Sequence, residues 1–399
     1  MNILLVSNLY PPQELGGYGR CMADFAWGLL QRGHALRVLS SDAPYLGPAA
    51  HGPCGEVVNR QLKLKGSFAS GVQLLRDPGH CAAIDHHNRA VLAAELASRP
   101  VDALLLGNLD LLGPELLAAL LEPGLPLLHH MGFVAPPFAP HQWPAAAHYQ
   151  MVCASRAVRQ ALVQAGLPVG HSPVVYPGAR LDLLTSGGSE HWGALGSPGR
   201  PLKVCFAGLL MGSKGPHTLL EAAAQLHQQG VSIQVNLAGN RFEPGYWERM
   251  QSFAQQCGLE GLVNWVGPLQ RRELARFFNL HQIGVFPSIH PEAFGIVAAE
   301  MQACGLALIS SGVGGAAELV DDGKTGLLFQ AGDASQLARQ LRRLIEEPGL
   351  LGALQRSGQA RVRAHFSVEQ AAAQLEQLWQ QVQPAGSATS AASRGRVTF

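Results

Sequence analysis

A chain of 399 residues is long enough for two domains, at roughly 100–200 residues each. With 47% hydrophobic and 14% charged residues it can bury a large core, which excludes global disorder. A net charge of +1 excludes a nucleic-acid binder held by bulk charge.

In chain order, the apolar run 2–7 reads as a strand, and a loop with Pro-Pro and Gly-Gly follows it. The spacing of Met22, Phe25, Ala26, Leu29 and Leu30 predicts a helix over 17–31 that ends at Gly33; 35–40 reads as a second strand. Strand, glycine loop, helix and strand make a βαβ unit. Residues 43–84 are rich in Gly, Pro and Ser and read as irregular. Helix 86–98, strand 102–106, helix 111–121, strand 125–130, a proline-rich loop 136–144, strand 150–153 and helix 155–165 come next. The texture changes over 177–200, read as a linker. The alternation then restarts: strand 203–207, helix 216–229, strand 232–238, helix 246–257, strand 262–266, helix 271–279, strand 283–286, helix 295–304, strand 306–309 and helix 314–320. A short strand 326–329 and helices 334–346 and 350–363 close the second array.

The domains expected are therefore 1–176 and 201–366, joined by the 177–200 linker. A helix over 367–383 is expected to pack back on the first domain, and the low-complexity tail 384–399 is expected to be disordered. The simplest architecture is α/β: two Rossmann-like, doubly wound domains facing each other across a cleft, with ligands at the carboxyl ends of the strands.

Seven scattered cysteines without a Cys-x-x-Cys suit a reduced, cytoplasmic protein. The opening Met1-Asn-Ile-Leu-Leu-Val-Ser has no basic leader and reads as a strand rather than a signal peptide. The apolar stretch 101–128 is broken by Asp102, Asp110, Pro114, Glu115, Glu122 and Pro123, so no membrane span is expected. No histidine or aspartate spacing suggests a metal site, and neither a metal nor a cofactor is expected.

The most informative stretch is Pro287-Ser-Ile-His-Pro-Glu-Ala-Phe-Gly-Ile-Val-Ala-Ala-Glu300. Glu292 lies in the loop after a strand, and Glu300 lies eight residues on, inside the following helix. Between them the free N–H groups of Phe294, Gly295 and Ile296 mark a helix start, which suits phosphate. Each carboxylate can accept two hydrogen bonds from a diol. The segment thus offers hydroxyl, phosphate and hydroxyl sites in the order found along a nucleotide sugar. Gly16 and Gly17, after the first strand, either let backbone approach a phosphate or sugar or simply make a tight turn. They do not form a Gly-x-Gly-x-x-Gly dinucleotide site.

Six ordered segments add to this: Tyr-Pro-Pro…Gly-Gly-Tyr-Gly-Arg (10–20), Lys-Gly (214–215), Pro-Glu-Ala-Phe-Gly (291–295), Glu-Met-Gln-Ala-Cys-Gly (300–305), Gly-Gly-Ala-Ala-Glu-Leu-Val (314–320) and Asp-Gly-Lys-Thr-Gly-Leu-Leu (322–328). On these the chain resembles the retaining GT-B glycosyltransferases of family 4, the group 1 enzymes with a Glu-x7-Glu motif. The resemblance implies transfer of a glycosyl group, hexosyl above all, from a nucleoside diphosphate sugar to a carbohydrate or lipid-linked acceptor. It also implies polysaccharide or glycolipid assembly, at or near the cytoplasmic face of a membrane.

By the same resemblance Glu292 holds donor-sugar hydroxyls and Glu300 the ribose hydroxyls, while the amides of Phe294, Gly295 and Ile296 line the sugar and diphosphate. Gly267, with Pro268 and Leu269, matches the loop that touches the base. Lys214 would neutralise the leaving diphosphate, where charge grows in the transition state. A histidine near the transferred sugar is implied at His130, with His129 as the alternative. In one respect the chain departs from the family. Leu209 stands where an arginine usually shares the phosphate charge, with Arg20 and Arg241 as possible substitutes. That departure keeps open a catalytically weak nucleotide-sugar-binding partner subunit, and a GT-B epimerase is a further alternative. Lys63, Lys65 and the loop 133–143 are candidates for contact with a lipid headgroup, against the reading of a solvated loop.

Overall fold

The computed structural model describes residues 1–49, 51–69, 71–184, 195–197, 199–382 and 384. The chain divides into two units. One is Met1–Tyr176 together with the last helix from Glu369; the other is Pro177–Val368.

In the first unit the strands β1 (Asn2–Ser7), β2 (Ala35–Ser41), β3 (Val57–Leu62), β6 (Ala103–Leu106), β7 (Leu127–Met131) and β8 (Tyr149–Cys153) form one sheet. A two-stranded hairpin, β4 (Gly66–Ser67) and β5 (Gln73–Leu74), stands beside it. The sheet order is β3-β2-β1-β6-β7-β8, and every neighbouring pair is parallel. Continuous apolar runs such as Ile3–Val6 and Leu104–Leu106 suit strands covered on both faces, and these residues are buried. Helices α1 (Tyr18–Gln31), α2 (Pro78–Ser98), α3 (Pro114–Leu121) and α4 (Arg156–Gln164) cover them. On α1, Met22, Phe25 and Leu29 lie on one face and are fully buried.

The irregular reading of 43–84 is corrected by β3, the hairpin and an early start to α2. Asp77 caps that helix by accepting from the His80 amide (2.6 Å), with Pro78 in the first turn. β3 escaped notice because it is an edge strand whose pattern is half exposed and polar.

The second unit repeats the plan. Strands β9 (Leu202–Ala207), β10 (Ile233–Ala238), β11 (Val263–Gly267), β12 (Ile283–Phe286), β13 (Ala307–Ser310) and β14 (Leu327–Leu328) form a parallel sheet in the order β11-β10-β9-β12-β13-β14. Helices α5 (Pro216–Gln228), α6 (Tyr246–Gln256), α7 (Arg271–Phe278), α8 (Ile296–Ala303), α9 (Ala334–Glu346) and α10 (Leu350–His365) surround it. Val204, Phe206, Val235, Leu237, Ile283, Val285 and Ile309 form the middle of its core with Leu219 and Leu337. The expected helix at 314–320 is instead a short 3-10 turn, Gly315–Leu319. Gly314 before it has φ 65°, outside helical geometry.

Part of the segment read as a linker is built into this unit. The Ala179 amide donates to the Phe366 carbonyl (2.8 Å), and Arg180 is buried with a two-pronged bond to Asp182 (2.7 Å each). Residues 185–194 and 198 of that segment lie outside the described residues, as does the 384–399 tail except Pro384. The last helix, α11 (Val368–Gln381), is tied to the first unit: Trp379 Nε1 donates to the Leu104 carbonyl (3.1 Å), and Arg32 pairs with Glu376.

Candidate functional site

In the second unit the sheet order reverses between β9 and β12, because β10 and β11 continue to one side of β9 while β12 and β13 build the other. Loops leaving the carboxyl ends of strands diverge at such a point and open a crevice for ligand. Lys214 follows β9, and Glu292 follows β12. Their side chains meet: Lys214 Nζ lies 2.7 Å from Glu292 Oε1, which also accepts from Ser288 Oγ (2.5 Å). Both are partly shielded from water, at 31% and 16% side-chain exposure.

Backbone contacts hold the surrounding loops in place. The Ile289 amide donates to the Ser213 carbonyl (2.8 Å) and the Gly315 amide to the Glu292 carbonyl (2.7 Å). Ser311 Oγ donates to the Ser288 carbonyl (2.6 Å). Gly215, at φ 67°, lies so close to this lacing that a Cβ would come within 2.1 Å of the Pro287 carbonyl oxygen.

Helix α8 starts from Gly295, with φ 98°. Phe294 before it is buried against Phe366, with ring centroids 5.6 Å apart. The Ile296 amide and those just after it precede any intrahelical acceptor, so the helix presents donors and the positive end of its dipole. One turn further in, Glu300 is wholly buried. Its Oε1 accepts from the Arg271 guanidinium (3.2 Å), and its Oε2 has no hydrogen-bond partner among the described residues. A buried carboxylate oxygen without a partner is costly, and a ligand hydroxyl would relieve it.

Arg271 was not singled out from the sequence. It opens α7 four residues after Gly267, the end of β11. A Cβ built on Gly267 would meet nothing within 4 Å, so this strand end faces open space. The available signal was Glu300 itself, the one charged residue of a helix that is apolar but for Gln302, which calls for a buried cation as its partner. Arg241, considered as a substitute for the arginine missing at Leu209, is held elsewhere. Its guanidinium stacks 3.9 Å over Trp265 and pairs with Glu248 (3.5 Å). Arg20 pairs with Glu14 (3.6 Å).

In the first unit, Gly16 has φ 69° and open space at its Cα, whereas Gly17 has φ −92°, a conformation open to any residue. His130, at the end of β7, is 0% exposed. Its Nε2 lies 2.9 Å from the Val175 carbonyl, and Tyr18 covers it by donating to the His130 carbonyl. Burial holds its pKa down to about 4, so the ring is neutral at pH 7. His129 is equally buried, bonded to the Tyr149 hydroxyl (2.9 Å), with a pKa of about 3 from burial. The structure brings neither imidazole to an open surface. Lys65, a candidate for lipid contact, is engaged by Asp85 (2.7 Å) and Glu115 (2.8 Å).

Among the described residues no cluster of three or more His, Cys, Asp or Glu could hold a metal ion, and no helix is long and apolar enough to cross a membrane.

Residues 190–361 match the family described as Glycosyl transferases group 1. A D-inositol 3-phosphate glycosyltransferase of Thermobifida fusca is 35% identical over 181 residues, 44% of this chain and 42% of that protein. The enzyme of that name from Corynebacterium jeikeium is 34% identical over 221 residues, 53% of this chain and 52% of that one. The chain thus spans about half the length of the curated relatives it matches. Among solved structures, sucrose-phosphate synthase from Thermosynechococcus elongatus superposes with a TM-score of 0.75 at 20% identity, over 96% of this chain and 99% of that one. Anabaena HepE, solved in complex with UDP, does so with a TM-score of 0.72 at 20% identity, over 96% and 100%. At that identity the likeness establishes fold alone. The Glu292–Glu300 segment and Lys214 lie inside the matched stretch: the second unit carries a group 1 glycosyltransferase domain, on a chain with the GT-B fold.

Proposed function

We propose that the protein is a retaining glycosyltransferase that moves a hexosyl group from a nucleoside diphosphate sugar to a carbohydrate or lipid-linked acceptor. One observation carries this reading above the others: the buried Oε2 of Glu300, without a partner among the described residues, one turn inside a helix whose start suits a phosphate-sized anion. A ribose diol satisfies that oxygen. The diphosphate then meets the amides of Phe294, Gly295 and Ile296, and the donor hexose reaches Glu292. Gly267 and the loop after it border the base. Arg271 steadies the Glu300 carboxylate while the ribose binds.

Lys214 uses one of its three N–H donors on Glu292 and keeps two for the diphosphate. As the anomeric C–O bond breaks, charge grows on the leaving phosphate oxygen, and a lysine placed there stabilises it more than it stabilises the bound substrate. No side chain stands as a nucleophile among the residues of this site. The reading is therefore a front-side displacement: the acceptor oxygen bonds to the anomeric carbon on the face the phosphate leaves, and the phosphate oxygen takes the acceptor proton. No metal and no cofactor is required, since amides, helix dipole and Lys214 handle the charge. Gly16 and Gly17 belong to the acceptor-side unit in this reading.

HepE and its UDP and UDP-glucose complexes make uridine nucleotides the first probes. Incubation with UDP-hexoses and an acceptor panel should release UDP and give a product whose anomeric configuration, read by NMR coupling constants, matches the donor's. Donor binding with neither transfer nor hydrolysis would contradict the proposal, as would inversion. Glu300→Ala should weaken UDP about tenfold, the loss of roughly one charge-assisted hydrogen bond, by calorimetry. The same variant should weaken 2′,3′-dideoxy-UDP less than twofold, because that nucleotide has no hydroxyls for Glu300 to hold.

A further inference from the structure

Lys214 ends a three-residue 3-10 turn, Gly212–Lys214, in the loop that leaves β9. The Lys214 amide donates to the Met211 carbonyl and the Gly215 amide to the Gly212 carbonyl (3.1 Å each). A turn this short has too few internal bonds to fix its own orientation. The loop 208–215 carries a single charged residue, Lys214, because leucine stands at 209. The orientation of the turn therefore decides how well that charge meets a leaving phosphate.

Two neighbouring loops hold the turn from outside. From the β12 loop, the Ile289 amide donates to the Ser213 carbonyl. From the β10 loop, Glu243 Oε2 accepts from the Gly212 amide (2.8 Å). That amide opens the turn, so it has no acceptor within it. The bond is of the charge-assisted kind, stronger than one between neutral groups. Glu243 is anchored in its turn. Its amide donates to the Leu210 carbonyl (3.2 Å), its carbonyl accepts from the Tyr246 amide (3.2 Å), and its Oε1 accepts from Arg249 Nη2 (2.7 Å). The Arg249 guanidinium lies 5.5 Å from the ring centre of Tyr246, a buried residue. The Tyr246 hydroxyl is 2.5 Å from His217 Nδ1 on α5, the helix that follows Lys214. The contacts thus run from Gly212 through Glu243, Arg249, Tyr246 and His217 and return to the chain just after Lys214.

We propose that Glu243 is a positioning residue for the transfer: its carboxylate, bonded to the Gly212 amide, holds the turn that aims Lys214 at the donor diphosphate. The inference rests on the reading of Lys214 given above, which it deepens with a residue that acts through the turn rather than on the donor. Arg249 occupies one carboxylate oxygen and leaves the other for the turn.

The test compares UDP release from UDP-glucose, and UDP affinity by calorimetry, in the full chain and in Glu243→Ala, Glu243→Gln, Lys214→Met and the double variant Lys214→Met/Glu243→Ala. Glu243→Ala should lower kcat about tenfold, the equivalent of one charge-assisted hydrogen bond lost from the placement of Lys214. UDP affinity should hold within about twofold, whereas a collapsed site would lose binding and turnover together. Glu243→Gln keeps an oxygen for the Gly212 amide and should stay within about threefold of the wild type. In the Lys214→Met background Glu243→Ala should cost less than about twofold, because the turn no longer carries a cation to aim. A readout that needs no turnover is NMR of the lysines after reductive ¹³C-methylation, with the Lys214 signal identified by its loss in Lys214→Met. UDP should shift that signal in the wild type and much less in Glu243→Ala. Equal losses from Glu243→Ala in both backgrounds, a Glu243→Gln as slow as Glu243→Ala, or a Lys214 signal that responds to UDP alike in both proteins overturns the proposal. Wild-type turnover in Lys214→Met would instead count against the reading of Lys214 itself.

Discussion

Lys214→Met is expected to lower turnover by roughly 10²–10³-fold, the loss seen when one donor to a developing oxyanion is removed. The methionine keeps the length and apolar stem of the lysine but offers no proton to the diphosphate. Glu292 loses its ion pair but retains the Ser288 hydroxyl, so the loop keeps one of its anchors. Donor affinity should fall much less than turnover, because the charge that Lys214 meets is larger in the transition state than in the bound substrate. Steady-state kinetics with UDP release, together with calorimetry on UDP, separate the two. Equal turnover in the variant and the wild type would remove Lys214 from the reacting centre, whatever happens to binding.

Gly314→Ala is expected to unsettle the site from below. Gly314 has φ 65°, and a Cβ there would come within 2.4 Å of the Glu292 carbonyl oxygen and 2.7 Å of its amide nitrogen. With ψ −139° this backbone lies in a region open essentially to glycine, which costs an alanine about 1–3 kcal/mol, and relieving the overlap adds about 1–3 kcal/mol. The least resisted movement is away from Gly314, which breaks the Gly315–Glu292 backbone bond and turns the carboxylate off Lys214. Both the melting temperature and transfer should fall. Gly323→Ala is the control: Gly323 has φ 73° but open space around it, so it should show the conformational cost alone and normal kinetics. A Gly314→Ala protein that melts and turns over like Gly323→Ala would show that Glu292 is not held as described.

Much of this was legible in the sequence, for definite reasons. Parallel strands buried on both faces leave continuous apolar runs, so Asn2–Ser7, Leu202–Ala207 and Ile283–Phe286 announce themselves. Where the run is short and one side is wet, as in β3 and the β4–β5 hairpin, the pattern fades and the segment read as loop. Two glutamates eight apart are common in any sequence; the candidate site at Glu292 and Glu300 was read from the motifs around them. What the sequence could not supply was pairing across distance. Lys214 meets Glu292 across 78 positions and Arg271 meets Glu300 across 29. The histidines are a separate case. Adjacent residues of a strand point to opposite faces, but β7 is covered on both, so His129 and His130 are sealed alike. Lys63 and Lys65 look equivalent in the chain, yet Asp85 and Glu115 engage only the second.

The most direct test is a crystal structure of the full chain with UDP bound. It should show the ribose hydroxyls on Glu300 Oε2, the diphosphate at the start of α8, and Lys214 Nζ within hydrogen-bond distance of a phosphate oxygen. A nucleotide bound away from the β9–β12 reversal, with Glu300 still bonded to Arg271 alone, would contradict the account.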